Sequence, residues 1–401
     1  SMQSGHAEPV TPVDSIVELL TALVRTPSRA GEDDPAAVAG VIEAWFEARG
    51  LPFRRLRSSD GQPLGLYAEV RGTRPGPWVV LDATLDTAGF GDPTRWSRAP
   101  TSAAVVDGWL HGRGSADSKA GVALFAHLLL ERVQAGRDAM AGRLGVLFDL
   151  DEHSGGFGGA RAFFGQPLGD EPPPRPDIVV IGYPGDDAIV TGGRGFLRAR
   201  LQVAGMAAHS GAAANRGLNA IERGASLATA LAALPLPGPD ALLSLPPQLT
   251  LTGIDGGGPG FSQVPDHCEL RLDLRLTASF DDGAARRAVL QAVRQHDALW
   301  PAGAATRIDW IDGWPPYRVP DTHPMVQALR EAGHDVQGQP LPTAVVGPSN
   351  IGNYLASLGV PALCGYGVCG EGVHASDERV RLASIEPVYR IYRGALQRMF
   401  S

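Results

Sequence analysis

Five short segments of this chain place ionisable or hydroxyl side chains beside glycines, and most of them end an apolar run. They are DATLD (82–86), GRGSADSKAG (112–121), DEHSGG (151–156), AAHSG (207–211) and VHASDERV (373–380). Carboxylates and imidazoles in such places can hold a divalent metal or move a proton. A two-metal hydrolase needs five protein ligands, one of them a carboxylate shared between the ions, and a free carboxylate to take a proton from water. Each residue taken singly has an ordinary reading. An Asp-Glu pair after a strand is commonly a solvated turn or a helix cap, and a lone histidine such as His374 is commonly structural. What calls for a site is the ordered recurrence of these segments along nearly the whole chain.

The elements that must carry these residues are legible in the hydropathy pattern. Val13 to Arg25 and Pro35 to Arg49 are expected as helices, the second with Trp45 and Phe46 toward a core. Buried strands are expected at Trp78 to Leu81, Leu144 to Phe148 and Ile178 to Ile181. Between the first two, Ala120 to Val133 is a helix apolar on nearly every face, with Asp117 and Ser118 as its caps. Strands apolar throughout and separated by helices imply an α/β fold with a mostly parallel sheet covered on both faces. Ligands of such sheets gather at the carboxyl ends of the strands, where Asp86, Glu152 and Tyr183 fall. From about Gly192 the pattern alternates instead, as in an antiparallel sheet. A helix with Leu218, Ile221, Ala225 and Ala228 on one face follows, then strands near 249–254 and 268–276 and a helix at 282–296. The first pattern resumes near Trp310 and ends in a capped helix from Ser384, with Ile385, Val388, Tyr392 and Leu396 at helical spacing.

The 401 residues suffice for two domains. Apolar and charged contents of 44% and 19% are those of an ordinary globular protein. A net charge of −8, with both signs interspersed, argues against a nucleic-acid partner. No apolar run approaches a membrane span; the longest, Ala120 to Leu130, contains His127. Three cysteines, Cys268, Cys364 and Cys369, are too few for a disulfide framework and fit a reducing compartment, so a cytoplasmic location is expected. There is no charged-then-apolar leader, and Ser1-Met2 looks like an expression scar.

Together the five segments resemble the zinc amidohydrolase and exopeptidase family of acetylornithine deacetylase, succinyl-diaminopimelate desuccinylase, aminoacylase and carboxypeptidase G. The resemblance implies a catalytic domain from residues 8–190 and 310–401, with an inserted α+β lid and dimerisation domain at 191–309. It implies that Asp117, in the Gly-Arg-Gly-x-x-Asp-x-Lys pattern, is the bridging carboxylate, Glu152 the general acid/base, Asp86 an orienting group and His374 the last metal ligand. Three ligand places differ: Thr84 stands for a His, His153 for a Glu, and Tyr183 for an acid. The metal site is therefore expected to be altered. Either one zinc sits on Asp117, His153 and His374, or no metal binds. Thr84 and Tyr183 would then line the substrate pocket. In the lid, His209 matches a histidine that reaches across a dimer to the partner's active site, and Arg275 an arginine that holds a substrate carboxylate. Gln263 replaces an Asn and Asn350 an Asp, both expected at the substrate.

These residues imply a homodimeric enzyme acting at the amide bond of a small N-acyl amino acid or dipeptide-like substrate. Two alternatives use the same scaffold: a metal-independent cyclisation, acyl transfer or isomerisation, and a catalytically inactive ligand-binding protein. A Cys369–His374 nucleophile pair is a weaker third.

Overall fold

The computed structural model describes residues 8–401, so the reading of Ser1-Met2 lies outside the described residues. The chain divides into two compact units. The first takes the residues up to Thr191, Val319–Ala344 and Val360–Ser401; the second takes Gly192–Arg318 and Val345–Gly359.

The first unit is built on a six-stranded sheet in the order Arg54–Arg57, Pro63–Arg71, Ala141–Asp149, Arg74–Thr84, Ile178–Ile181, Ala362–Leu363. The three pairings from Ala141–Asp149 to Ala362–Leu363 are parallel, and the two that add Pro63–Arg71 and Arg54–Arg57 are antiparallel. The sheet is thus mixed, with the expected parallel strands at its centre and an antiparallel edge. Val79, Val80 and Leu81, Leu144, Val146 and Phe148, and Ile178 to Val180 are buried, as strands covered on both faces require. Helix Ala120–Ala135 has every residue from Ala120 to Leu129 buried, so it is a core element rather than an amphipathic one. Helix Pro35–Ala48 begins with proline at its first turn and the Asp34 carboxylate accepting the Ala36 N–H at 2.9 Å.

Two expected caps are used otherwise. Lys119, not Asp117 or Ser118, precedes helix Ala120–Ala135, because the Asp117 carboxylate is engaged by two histidines. The Ser384 hydroxyl makes no cap to helix Ile385–Phe400. It donates to the Arg381 carbonyl at 2.7 Å and accepts the Cys369 N–H at 3.0 Å, which ties a site loop to the helix start.

The second unit contains a four-stranded antiparallel sheet, ordered Gln248–Gly256, His267–Leu276, Gly195–Ala204, Arg307–Trp314. Leu197, Leu201, Leu270, Leu272, Leu227 and Val289 form its core with helices Ala220–Ala232 and Asp282–Asp297. The return to the first unit comes after Arg318 rather than near 310, because strand Arg307–Trp314 hydrogen-bonds to Gly195–Ala204. The helix face is also displaced from the expected one. Ala220, Arg223, Gly224, Leu227 and Leu231 are buried, while Ile221 is exposed. A buried arginine hides that face from a hydropathy count. Arg223 donates to Asp297 at 2.7 Å and to the Ala204 carbonyl at 2.9 Å.

Beneath the carboxyl edge of the first sheet lie two buried carboxyls, Asp82 and Asp149, in mutual contact. Burial raises both, and the charge of Asp82 raises Asp149 further. The folded pair therefore holds a proton to higher pH than the unfolded chain does. Its cost is absent at acid pH and grows as pH rises above the ordinary carboxylate range. Asp82→Asn should stabilise the protein by on the order of 1–3 kcal/mol more at pH 8 than at pH 4. Denaturant titrations at the two pH values check this, and an equal effect at both would refute a shared proton.

Candidate active site

Five loops of the first unit deliver the site. Strand Arg74–Thr84 leads to Asp86, Ala141–Asp149 to Glu152 and His153, and Ile178–Ile181 to Tyr183; Asp117 precedes helix Ala120–Ala135. His374 lies in the turn between the short strands Gly370–Glu371 and Arg379–Arg381. Asp151 and His374 both take left-handed backbone angles, φ 65° and 62°. Such conformations cost energy for residues other than glycine and persist only where the surroundings enforce them. Around Asp151 the enforcement is visible: its carboxylate accepts from Ser154 Oγ and from the Gly158 N–H at 3.2 Å, and its carbonyl accepts the Phe157 N–H at 2.9 Å.

Asp117 is the centre. Its Oδ2 lies 2.7 Å from His374 Nε2 and 3.2 Å from His153 Nε2, and its Oδ1 accepts the Ser118 hydroxyl at 2.9 Å. Burial alone would raise its carboxyl, but the two imidazoles overcome that and hold it well below the usual range. Burial likewise opposes charge on His153, yet its bond to Asp117 and the Asp86 carboxylate 3.7 Å from its Nδ1 push it up to about 11. The Asp117 bond also raises the half-exposed His374. Asp86 orients the neighbouring loop: its two oxygens accept the backbone N–H of Glu152 at 3.3 Å and of His153 at 3.0 Å. Its Oδ1 also accepts the Thr84 hydroxyl. Glu152 Oε2 stands 3.3 Å from His153 Nδ1. Burial raises Glu152 to about 7; His153 lowers it in part, and Asp117 and Asp86 reinforce the rise.

The ligand atoms of Asp117, His153 and His374 lie within 4.8 Å of one another, a set that could hold a metal ion. Two imidazoles and a carboxylate suit a divalent ion that keeps an open position. A second ion finds poorer donors. The Thr84 hydroxyl is already committed to Asp86. Burial, with the charges of Asp117 and Glu152, pushes the Tyr183 phenol up, so it keeps its proton at neutral pH.

The remaining expected residues belong to the second unit. An isolated bridge pairs His209 with Gln263, both exposed, and the His209 Nδ1 accepts the Gly211 N–H at 3.0 Å. Arg275 pairs with Asp273 at 2.9 Å through Nε, while its buried Nη1 has no partner among the described residues. Asn350 caps helix Ile351–Ser357, accepting the Gly352 N–H at 2.7 Å, and donates to the Tyr317 hydroxyl at 3.0 Å. His374 directs Nε2 to Asp117, which leaves the Cys369 pairing without support.

Two buried residues escaped the sequence reading although they sit inside its segments. Glu378 accepts hydrogen bonds from Arg113 and from the backbone of the Asp117 loop. Lys119 donates to the carbonyls of Leu23 and Thr26 at 2.7 and 3.0 Å, and burial lowers its amine to about 7. A charged residue within four positions of a candidate ligand was the available signal for both.

Comparison with known proteins agrees with this architecture. Residues 80–398 match the peptidase family M20/M25/M40, and the chain belongs to that family. It is 28% identical over 396 residues to the succinyl-diaminopimelate desuccinylase of Nitrobacter hamburgensis, covering 94% of this chain and 97% of that one. The desuccinylase of Bordetella petrii is 27% identical over 401 residues, covering 97% and 99%. Among solved structures, aminopeptidase PepT from Bacillus cereus superposes with a TM-score of 0.78 at 18% identity, over 96% of this chain and 98% of that one. A dinuclear metal binding peptidase of the M20 family from Bacillus subtilis gives 0.67 at 15% identity, over 96% and 97%. The protein is thus a hydrolase of mixed α/β architecture.

In protein stripped of metal, Glu152 should be protonated below about pH 7 and ionised above it. Carbon-13 NMR of the carboxyl, with Glu152→Gln for assignment, should show that midpoint; a midpoint near that of a free glutamate would contradict the burial argument.

Proposed function

We propose that this member of the M20/M25/M40 family hydrolyses the amide bond of a small N-acyl amino acid or dipeptide-like substrate. On this reading Glu152 is the general acid/base, and at most one metal ion sits on Asp117, His153 and His374. The observation that carries it is a buried carboxylate, Asp117, flanked by two imidazoles beside a glutamate raised to about 7. Such a glutamate is matched to proton transfer near neutral pH. The desuccinylase relatives support the substrate class, which their name states for them.

Glu152 takes a proton from the attacking water and hands it to the leaving nitrogen. Asp86 holds Glu152 and His153 in place through their backbone N–H groups. Asp117, His153 and His374 would hold the ion, which supplies Lewis-acid polarisation of the amide carbonyl when bound. Thr84 and Tyr183 line the pocket as neutral groups. Arg275, with a buried N–H left over, receives the substrate carboxylate, and Gln263 and Asn350 contribute amides to the same end. The second unit, Gly192–Arg318 with Val345–Gly359, acts as lid and dimerisation domain, where exposed Met206, Ile221, Ile254 and Phe261 offer apolar surface to a second copy. His209 of that copy would steady the oxyanion. A cytoplasmic location fits the free cysteines; among the described residues no helix is long and apolar enough to cross a membrane.

A second reading, acid/base work by Glu152 without metal, is favoured by one observation: His153 and His374 both direct Nε2 to Asp117, so the three groups satisfy one another directly. Elemental analysis, read with activity before and after chelation, separates the two. We expect at most one zinc per chain and a loss of activity on chelation. Two stoichiometric ions would overturn the one-metal site, and full activity in the chelated protein would select the second reading. Glu152→Gln should lower turnover by about 10²–10⁴ while leaving binding largely intact. Near-normal turnover in that variant would remove Glu152 from the mechanism.

A further inference from the structure

We infer that Glu378 is a positioning residue, whose buried carboxylate sets the spacing between Asp117 and His374. The inference rests on those two residues being the working groups of the site.

Glu378 is 1% exposed, and both of its oxygens are filled by donors from one loop. Oε2 accepts the N–H of Ala116 at 2.9 Å and that of Asp117 itself at 3.1 Å; Oε1 accepts Gly114 N–H at 3.1 Å and Arg113 Nη1 at 2.9 Å. Arg113, 3% exposed, neutralises the charge and is itself held by the Gly89 carbonyl at 3.0 Å and by the Trp96 ring. Four donors with one charged partner satisfy a buried carboxylate, so the contact is geometrically determined.

What Glu378 joins gives it a role. On one side is the backbone of Asp117. On the other, four residues earlier in the same turn, is His374, whose ring is half exposed and whose Nε2 bonds to Asp117 Oδ2. The ring meets Asp117 and, edge to face at 5.3 Å between centroids, the His153 ring, while its backbone is placed by where the turn is anchored. Besides the Glu378 carbonyl, which accepts the Gly112 N–H at 2.9 Å, the turn has two side-chain anchors. The Asp377 carboxylate accepts the Ser97 N–H at 2.7 Å and the Ser97 hydroxyl at 2.9 Å, away from the candidate ligands. Glu378 alone of the two binds the loop that carries Asp117. Groups of this kind around a metal ligand typically change affinity or activity about ten- to hundredfold when altered.

Glu378→Gln tests this, since it replaces an acceptor oxygen with a donor facing the same N–H groups. Asp377→Asn serves as the control that loosens the turn elsewhere. The first readout is the His374 Nε2–H resonance in metal-free protein, from long-range proton–nitrogen correlation; the second is cobalt(II) affinity from the visible spectrum. In Glu378→Gln the His374 resonance should move toward that of a free imidazole, and cobalt affinity should fall about ten- to hundredfold. Asp377→Asn should leave both near wild type, with a comparable melting temperature. A folded Glu378→Gln with wild-type resonance and affinity would overturn the inference, as would equal losses in Asp377→Asn. Should Glu378→Gln not accumulate folded, Arg113→Lys carries the test: a smaller loss in the same direction supports the inference, and wild-type values overturn it. Wild-type protein that binds no cobalt counts against the metal reading instead, and the resonance then decides the role of Glu378.

Discussion

A carboxylate taken out of water must find charge or hydrogen bonds to replace it, and the arrangement around Asp117 follows from that constraint. Two imidazoles and a serine hydroxyl occupy its oxygens, and the backbone that carries it is fixed by a second buried carboxylate. Negative charge is in excess. Asp82, Asp86, Asp117, Asp149 and Glu152 lie close together at one edge of the sheet, with His153 a nearby cation and His374 raised by Asp117. The protein manages the excess in different ways. Asp82 and Asp149 keep a proton, Asp117 stays ionised between histidines, and Glu152 is left in between. The last state, neither firmly charged nor firmly neutral, is what proton transfer requires.

The backbone was legible where burial and period agree. Runs such as Trp78 to Leu81 and Ile178 to Ile181 have no polar face, so they could only be interior strands, and their carboxyl ends point to Asp86, Glu152 and Tyr183. The antiparallel edge of the sheet was missed because Pro63–Arg71 carries Gly65, Glu69 and an opening proline, which blur its alternation. The inner face of helix Ala220–Ala232 was misjudged for a related reason. Hydropathy assigns arginine to solvent, yet Arg223 is buried through one ion pair and a carbonyl that no local pattern records.

Within the site, residue types were readable and their partnerships were not. Asp117, His153 and His374 are separated by 36 and 221 residues in the sequence, and only folding brings their ligand atoms within 4.8 Å. Glu378 looked like one more charge in a polar turn. Its importance comes from four N–H groups 261 to 265 residues away, a separation at which sequence spacing carries no signal. Thr84 shows the converse. Its hydroxyl, expected to line the substrate pocket, has a hydrogen-bond partner in Asp86, only two residues on.

The division of the chain into interleaved segments bears on the order in which it can fold as it is made. The second unit's four-stranded sheet has all its strands once residue 314 exists. The first unit's sheet lacks its last parallel strand until Leu363, and helix Ile385–Phe400, which fills its core with Val388, Tyr389 and Tyr392, follows later still. The earlier-started unit is therefore the later to be completed. Until then the strand Ile178–Ile181 has an open edge of the kind that invites wrong pairing during synthesis.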